Sequence, residues 1–167
     1  MSELRVDKII PTAGVPTGGG GGIIQIKQGT LTTPVSTSTS GSFTDTGLTA
    51  TITPKFNTSK IFCMVSLGSL SSPGGTSTGF RLVRGSTDIA MPDSTALQSG
   101  FTNIYVSEDS SLFSVAFNFL DSPATTSATT YKITWRNSSS TTYLGRFNGT
   151  ADNYNGVSTL ILMEVSA

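Results

Sequence analysis

Histidine is absent from this chain of 167 residues, and cysteine occurs only once. The commonest general base and zinc ligand is therefore missing, and neither a Ser-His-Asp triad nor a Cys-His dyad can form. Cys63 has no partner for an internal disulfide and stands in the apolar stretch 61–65. We expect it to be a buried small hydrophobe, since a reactive thiol needs an electropositive and partly exposed setting.

Charge is also scarce. Ten basic and ten acidic residues cancel, and charged residues make up 12% of the chain, about half of the usual ~25%. Such a balance gives no electrostatic footprint for nucleic acid or an anionic membrane. No apolar run is long enough to span a bilayer, and residues 1–10 lack the apolar core of a signal peptide. We expect assembly in a cytoplasm, without membrane insertion.

The acidic residues offer little for catalysis or metal binding. They are scattered, and the adjacent pair Glu108 and Asp109 lies in a serine-rich stretch that predicts a solvated turn. Residues 152–156 combine Asp, Asn and Gly but lack the glutamate that completes an EF-hand loop, so a turn is favoured over calcium. The sequence predicts no enzyme and no cofactor; a polysaccharide depolymerase is the weak alternative, because paired acids are missing.

No segment has the apolar period of an amphipathic helix. Short runs rich in β-branched and aromatic residues instead alternate with Gly, Pro, Asn and Ser clusters, which is typical of a β-sandwich or barrel. We predict an all-β fold, an antiparallel β-sandwich. Its expected strands are 23–28, 48–53, 60–67, 80–84, 102–106, 112–120, 130–136, 142–147 and 159–165.

Alternation within the strands predicts which faces build the core. The apolar residues of 48–52 and the aromatic residues of 113–119 each occupy one face. Trp135 shares a face with Tyr131 and Ile133, so we expect its indole in the core or at its rim.

Two strands break this alternation, because both of their faces are apolar. In 60–67 the extra face carries Phe62 and Met64, and in 159–165 it carries Ile161 and Met163. Large exposed apolar patches mark interfaces, and burying them would contribute several kcal/mol to association at about 25 cal/mol per Å². We predict a homo-oligomer with these four residues near the subunit contact. The alternative is that a long loop over residues 68–79 covers the second face.

The first 22 residues read as an extended arm, with the folded domain predicted over 23–167. A glycine run followed by an apolar strand, without the lysine of a phosphate loop, is a flexible linker. The arm is too short to fold alone, and its apolar pattern is that of a docking peptide. The predicted anchoring residues are Leu4, Val6, Ile9 and Ile10, and the linker is Gly18, Gly19, Gly20, Gly21 and Gly22.

Several phrases carry a resemblance over nearly the whole chain: LRVDKIIPTAGVPTGGGGGIIQIKQ, FTDTGLTATITPKFNTSKI, FRLVRGSTDIA, LDSPATTSATTYKITW and STLILMEV. With these the sequence resembles small virion proteins of tailed bacteriophages, particularly marine and cyanobacterial ones. The resemblance implies a trimeric, jelly-roll-like domain that serves as capsid decoration, fibre or spike. It also implies that the arm fastens the domain to another virion protein of the capsid or tail, and it transfers no catalytic residue.

Two functions follow as expectations. The first is a capsid decoration or cement protein, which the small size favours, since a fibre needs a long shaft. The second is a tail fibre or spike component that binds a host surface glycan or protein. For the second function, Tyr143 and Tyr154 near loops are the candidate contact residues.

Overall fold

The structure is a computed structural model that describes residues 22–93, 96–109, 111–148 and 154–166. Within these ranges the chain forms eleven β-strands and no helix. None of the described segments is therefore a helix able to cross a membrane. The predicted anchoring arm lies outside the described residues.

The strands form two sheets. Sheet A contains β1 (Ile23–Leu31), β2 (Val35–Thr37), β4 (Lys60–Ser71), β8 (Phe113–Asp121), β10 (Thr142–Leu144) and β11 (Ser158–Val165). Sheet B contains β3 (Thr44–Ile52), β5 (Thr76–Arg84), β6 (Thr87–Ile89), β7 (Thr102–Val106) and β9 (Thr129–Asn137).

The strand order is that of a jelly roll. Sheet A runs β1-β11-β4-β8, where β10 pairs with the far end of β4 and β2 pairs with β10. Sheet B runs β3-β9-β5, with β6 and β7 both paired to β5. All pairings are antiparallel, and most successive long strands lie in opposite sheets. The predicted all-β, antiparallel, jelly-roll-like sandwich is confirmed.

All nine expected strands are present, and all except 102–106 have different ends. The short strands β2 and β6 were not expected, and β10 stops at Leu144 although the sequence predicted a strand to 147. Gly145 ends it, because its φ of 88° turns the chain out of the extended conformation, while its N–H still donates to the carbonyls of Gly68 and Ser69. The expected loop over 68–79 is wrong, since β4 and β5 extend into it and leave only residues 72–75 as a turn.

The core lies between the sheets. Leu48 and Ile52 of β3 and the aromatic residues Tyr131 and Trp135 of β9 are at most 1% exposed, as their alternation predicts. The phenylalanines of β8 differ from expectation: they face the core but are only partly buried. This follows from position, because β8 is an edge strand that pairs only with β4 among the described strands.

The two flanks of the sandwich differ in how tightly they close. On one flank, β1 approaches β3 so closely that a Cβ on Gly29 would overlap the carbonyl oxygen of Thr49. On the other flank, beside β8, the ring of Phe101 from the β6–β7 connection stacks on Phe117 with centroids 4.6 Å apart. Sheet B is therefore joined to β8 by side chains rather than by close backbone approach.

Both ends of the described chain meet at one end of the sandwich. The N–H of Gly22 donates to Ser166 Oγ at 3.2 Å, and the N–H of Ser166 donates to the Gly22 carbonyl at 3.1 Å. The antiparallel pairing puts the turn 53–59 at this end, which we call the proximal end. The turns 72–75 and 138–141 lie at the opposite, distal end.

Candidate functional site

The outer face of sheet A carries the residues predicted for the subunit contact. The strand register aligns side chains across β1, β11, β4 and β8 in rows that point away from the core. The outermost row at the proximal end contains Ile23, Val165 and Lys60, and the row after it is wholly apolar: Ile26, Met163, Phe62 and Leu120. The next row consists of Gln28, Ile161, Met64 and Asn118.

This face is open in the described chain. Leu120 is 51% exposed, Ile26 55% and Met64 40%, while Phe62, Ile161 and Met163 are half-buried by one another. The structure therefore brings the four predicted residues onto one surface and leaves it uncovered. The loop that was the alternative cover is absent, because residues 68–71 and 76–79 are strand. We call this surface the apolar face.

The middle of the apolar face holds a shallow depression of about 240 Å³. Met64 and Ile161 border it on one side, and Ala116 and Asn118 of β8 border it on the other. Small side chains on adjacent strands create it, since Ser66 pairs with Ala116. A depression of this kind can accept a protruding side chain from another molecule.

Ile26 and Leu120 extend the apolar face beyond the four residues that the sequence indicated. Both residues belong to strands that carry apolar residues on both faces, and this is the sequence signal that could have identified them. It is weak in β1 and β8, because glutamine, serine and asparagine interrupt their outward positions. Register across four strands is needed to see that the apolar residues align.

The outer face of sheet B is chemically different. It carries Lys132 paired with Asp45 at 2.9 Å and Arg81 paired with Asp88 at 2.6 Å. Charged pairs of this kind suit a surface that stays in water. The contrast makes the apolar face, rather than the outer face of sheet B, the surface that favours burial.

A cleft lies beside those charges, between sheet B and two connections. It measures about 660 Å³ and is lined by Phe43, Arg81, Leu97 and Arg136, among others. The Arg81 guanidinium stands 3.7 Å from the centroid of the Phe43 ring. Arg136 donates to the carbonyls of Ser40 and Leu97, and among the described residues it has no carboxylate partner.

Of the candidate host-contact tyrosines, Tyr143 lies on β10 and Tyr154 lies in the connection between β10 and β11. Tyr143 is half-buried on β10, and the Arg146 guanidinium lies 4.2 Å from its ring centroid. Tyr154 is 67% exposed and meets Phe147 edge-on at 5.7 Å. Of these two candidate tyrosines, Tyr154 therefore exposes more of its ring to solvent.

Two buried carboxylates are the charged groups that the sequence reasoning missed. Glu164 is fully buried in β11 and accepts hydrogen bonds from Gln25 Nε2 at 2.6 Å and from the N–H of Lys55 at 2.7 Å. Burial alone would raise its pKa, but these bonds, with one from the Phe56 N–H, outweigh burial and lower the pKa. Asp121 is held by Arg84 and Tyr131. Both carboxylates therefore hold turns and sheets together.

The remaining sequence-based candidates for chemistry do not form a centre. Cys63 is fully buried, as predicted, and desolvation, with a smaller effect of Asp121, raises the pKa of its thiol to about 12. Glu108 and Asp109 are exposed, and Asp109 caps the Gly74 N–H at 2.6 Å. No cluster of three or more metal-ligating side chains occurs in the described part of the chain. Asp152 and Asn153 lie outside it.

The linker and arm are described only at Gly22, where β1 is about to begin.

Comparison with known proteins adds no relative: no family model matches the chain, and no curated protein matches it. Among the described residues, the apolar face is therefore the feature that best indicates a function.

Proposed function

We propose that this protein is a virion structural protein of a tailed bacteriophage, a capsid decoration or cement subunit that works as a homo-oligomer. Its N-terminal arm fastens it to another virion protein, and its sandwich projects from the particle. The observation that carries the proposal is the apolar face, because an uncovered apolar surface of this extent is typical of a subunit interface.

The sequence supports the virion setting. The arm and the phrase DTGLTATITP resemble phage virion proteins, and the folded part is a jelly-roll-like sandwich, as that resemblance implies. An oligomer would also multiply a weak anchor, since several arms that act together bind far more tightly than one. The trimeric state comes from the resemblance alone.

The position of Gly22 fits an anchor at one end. The chain before it must leave from the proximal end, beside Ser166. Anchoring there would turn the distal turns outwards. Since a particle and a cyclic oligomer seldom share a symmetry axis, the linker Gly18 to Gly22 would absorb the mismatch without steric limits on φ.

Immunogold electron microscopy of intact particles tests the location, with antibody raised against residues 23–167. Label spread over the heads, at many copies per particle, is the expected result. Label confined to the tail would replace decoration by a tail appendage. An absence of label on particles that contain the protein's gene would contradict the virion assignment.

The second candidate is a tail fibre or spike component that binds the host surface, and the cleft beside Arg136 favours it. Arg136, which has no carboxylate partner among the described residues, lines the same cleft as the aromatic ring of Phe43, and this combination suits an acidic saccharide, because guanidinium pairs with carboxylate or sulfate through two donors. Binding of the purified protein to host cells should then fall for Arg136→Gln. Lys132→Gln is the matched control, since Lys132 is already paired with Asp45.

A further inference from the structure

Strand β8 carries apolar side chains on both of its sides, and both sides are incompletely covered. Its outward side contributes Leu120 to the apolar face. Its inward side carries Phe113, Phe117 and Phe119, which pack against the core yet remain partly exposed. The β4 residues opposite them, such as Val65 and Cys63, are at most 3% exposed.

The partial exposure comes from the open flank. Beyond β8 no described strand follows in sheet A, and the nearest part of sheet B meets it through the Phe101 ring. The apolar surface therefore continues from the outer face, around the edge of β8, onto the aromatic flank. The closed flank at Gly29 offers no such continuation.

We propose that a second copy of this chain packs around β8, so that the subunit contact covers both the apolar face and the aromatic flank. This inference rests on the proposed homo-oligomer and assigns its contact to a strand. The sequence had pointed only to β4 and β11. With the edge of β8 inside the contact, its unpaired backbone groups are also protected from uncontrolled strand addition.

Area supports the wider contact. Four strands spaced about 4.8 Å apart, over a shared length of about eight residues, give a flat face of roughly 500 Å². A stable interface buries about 800 Å² on each partner. The edge of β8, about 30 Å long and about 10 Å deep between the sheets, adds roughly 300 Å². The flank therefore adds substantially to the contact and brings it towards the size of a stable interface.

Charge supports a second copy as the occupant. The three outward rows from Ile26 to Ala116 contain no Asp, Glu, Lys or Arg, and the third of them is Thr30, Thr159, Ser66 and Ala116. In a two-fold contact the face would meet itself, and an uncharged face then avoids like-charge repulsion; in a cyclic trimer it would meet a different surface of the neighbour, such as the phenylalanines of the flank. A partner recognised through charge would find no complement there.

Native mass spectrometry of three variants tests the contact. Leu120→Glu and Ala116→Glu place a charge on the outward side of β8, and Thr51→Glu is the matched control on β3, the edge strand of the other sheet at the closed flank, where Thr51 is exposed. We expect the first two to fall to the 17.4 kDa monomer while the wild type and the control stay oligomeric. Ala116 is exposed, so its variant folds even if Leu120→Glu does not.

Hydroxyl-radical footprinting distinguishes the contact around β8 from the homo-oligomer on which that contact rests. In the wild-type oligomer, Phe117 and Phe119 should be oxidised several-fold more slowly than in the folded Ala116→Glu monomer. Equal oxidation in an oligomeric wild type would overturn the contact around β8 and leave the homo-oligomer standing. A monomeric wild type at micromolar concentration would overturn both, and dissociation of Thr51→Glu would move the contact to sheet B.

Discussion

The phenolic hydroxyl of Tyr131 donates a hydrogen bond of 2.7 Å to Oδ2 of Asp121, and this bond joins sheet B to sheet A near the proximal end. Arg84 Nη1 lies 2.8 Å from both carboxylate oxygens of the same Asp121. Desolvation and the bond to Asp121 hold the pKa of Tyr131 well above its usual value. The hydroxyl therefore stays a donor throughout the physiological range.

Removing that donor should weaken the fold. We expect Tyr131→Phe to lower the free energy of unfolding by about 1–2 kcal/mol, because Asp121 loses a partner in a buried site. Asp121→Ala should cost more, about 2–3 kcal/mol, since it leaves Arg84 and Tyr131 unpaired. Urea titration at pH 7 measures both. Tyr143→Phe is the control, and equal losses for the two tyrosine variants would contradict a special role for Tyr131.

Glu164 should make stability depend on acid pH. Its folded pKa lies below the ordinary value of 4.5, so its contribution is complete above that pH and is lost as the pH falls through the lowered folded value. Glu164→Gln removes the charge that the Gln25 amide and the Lys55 N–H bind. At pH 7 we expect a loss of about 2 kcal/mol.

The pH profile distinguishes this role from simple packing. The difference in urea midpoint between wild type and Glu164→Gln should shrink as the pH drops below 4.5. Glu108→Gln, at an exposed turn, should show no such difference from wild type at pH 7 or at pH 3. A gap that persists unchanged at pH 3 would mean that the charge of Glu164 does not stabilise the fold.

Cys63 should report on unfolding. Its thiol is fully buried with a pKa of about 12, so little thiolate exists and reagents cannot reach it. We expect a thiol reagent to react with the native protein at least ~100-fold more slowly than with the urea-unfolded chain. Rapid labelling of the folded protein would show that β4 opens readily.

Local alternation predicted the sandwich because each long strand carries its own signal. Leu48, Ile52 and Trp135 follow period two, and all are buried as expected. The three-residue strands β2 and β6 are too short to show a period, and they form because neighbouring strands offer hydrogen-bonding edges. Strand β2 depends on pairing with β10, which is distant in sequence, whereas β6 follows β5 through the two-residue turn Gly85–Ser86, a local hairpin signal that alternation alone does not reveal.

The buried carboxylates show a second limit. Glu164 is in phase with Leu160 and Leu162, and Asp121 is in phase with the β8 phenylalanines, so alternation places both on the core side. That phase could have identified them as buried charges in need of partners. The partners themselves, such as Lys55 for Glu164, are distant in sequence and appear only in the folded chain.

Gly29 should tolerate no side chain. A Cβ there would overlap the backbone carbonyl of Thr49 on β3, and separating β1 from β3 would disturb the core. We expect Gly29→Ala to lower the free energy of unfolding by about 1–3 kcal/mol, or the Tm by roughly 2–10 °C. Gly41→Ala is the matched control, because a Cβ at Gly41 meets no atom within 4 Å. Equal melting of the two variants would refute the close approach.

The glycine linker should act as a spacer. Replacing Gly18 to Gly22 by a serine-rich stretch of equal length keeps a flexible coil with a reach of about 12 Å. Gly22 itself has room for a side chain, since no atom lies within 4 Å of a Cβ built there. We therefore expect incorporation into particles to be unchanged, as measured by quantitative immunoblotting of purified virions.

Two companion variants make that result decisive. Charged substitutions at Leu4, Val6, Ile9 and Ile10 should abolish incorporation while the domain over 23–167 still folds and assembles, because they remove the apolar contacts of the arm. A proline-rich linker of the same length should reduce incorporation, since it fixes an extended direction between arm and domain. If the serine-rich variant failed as badly as the substituted arm, the glycines would be required for a defined backbone shape, which only positive φ values could supply.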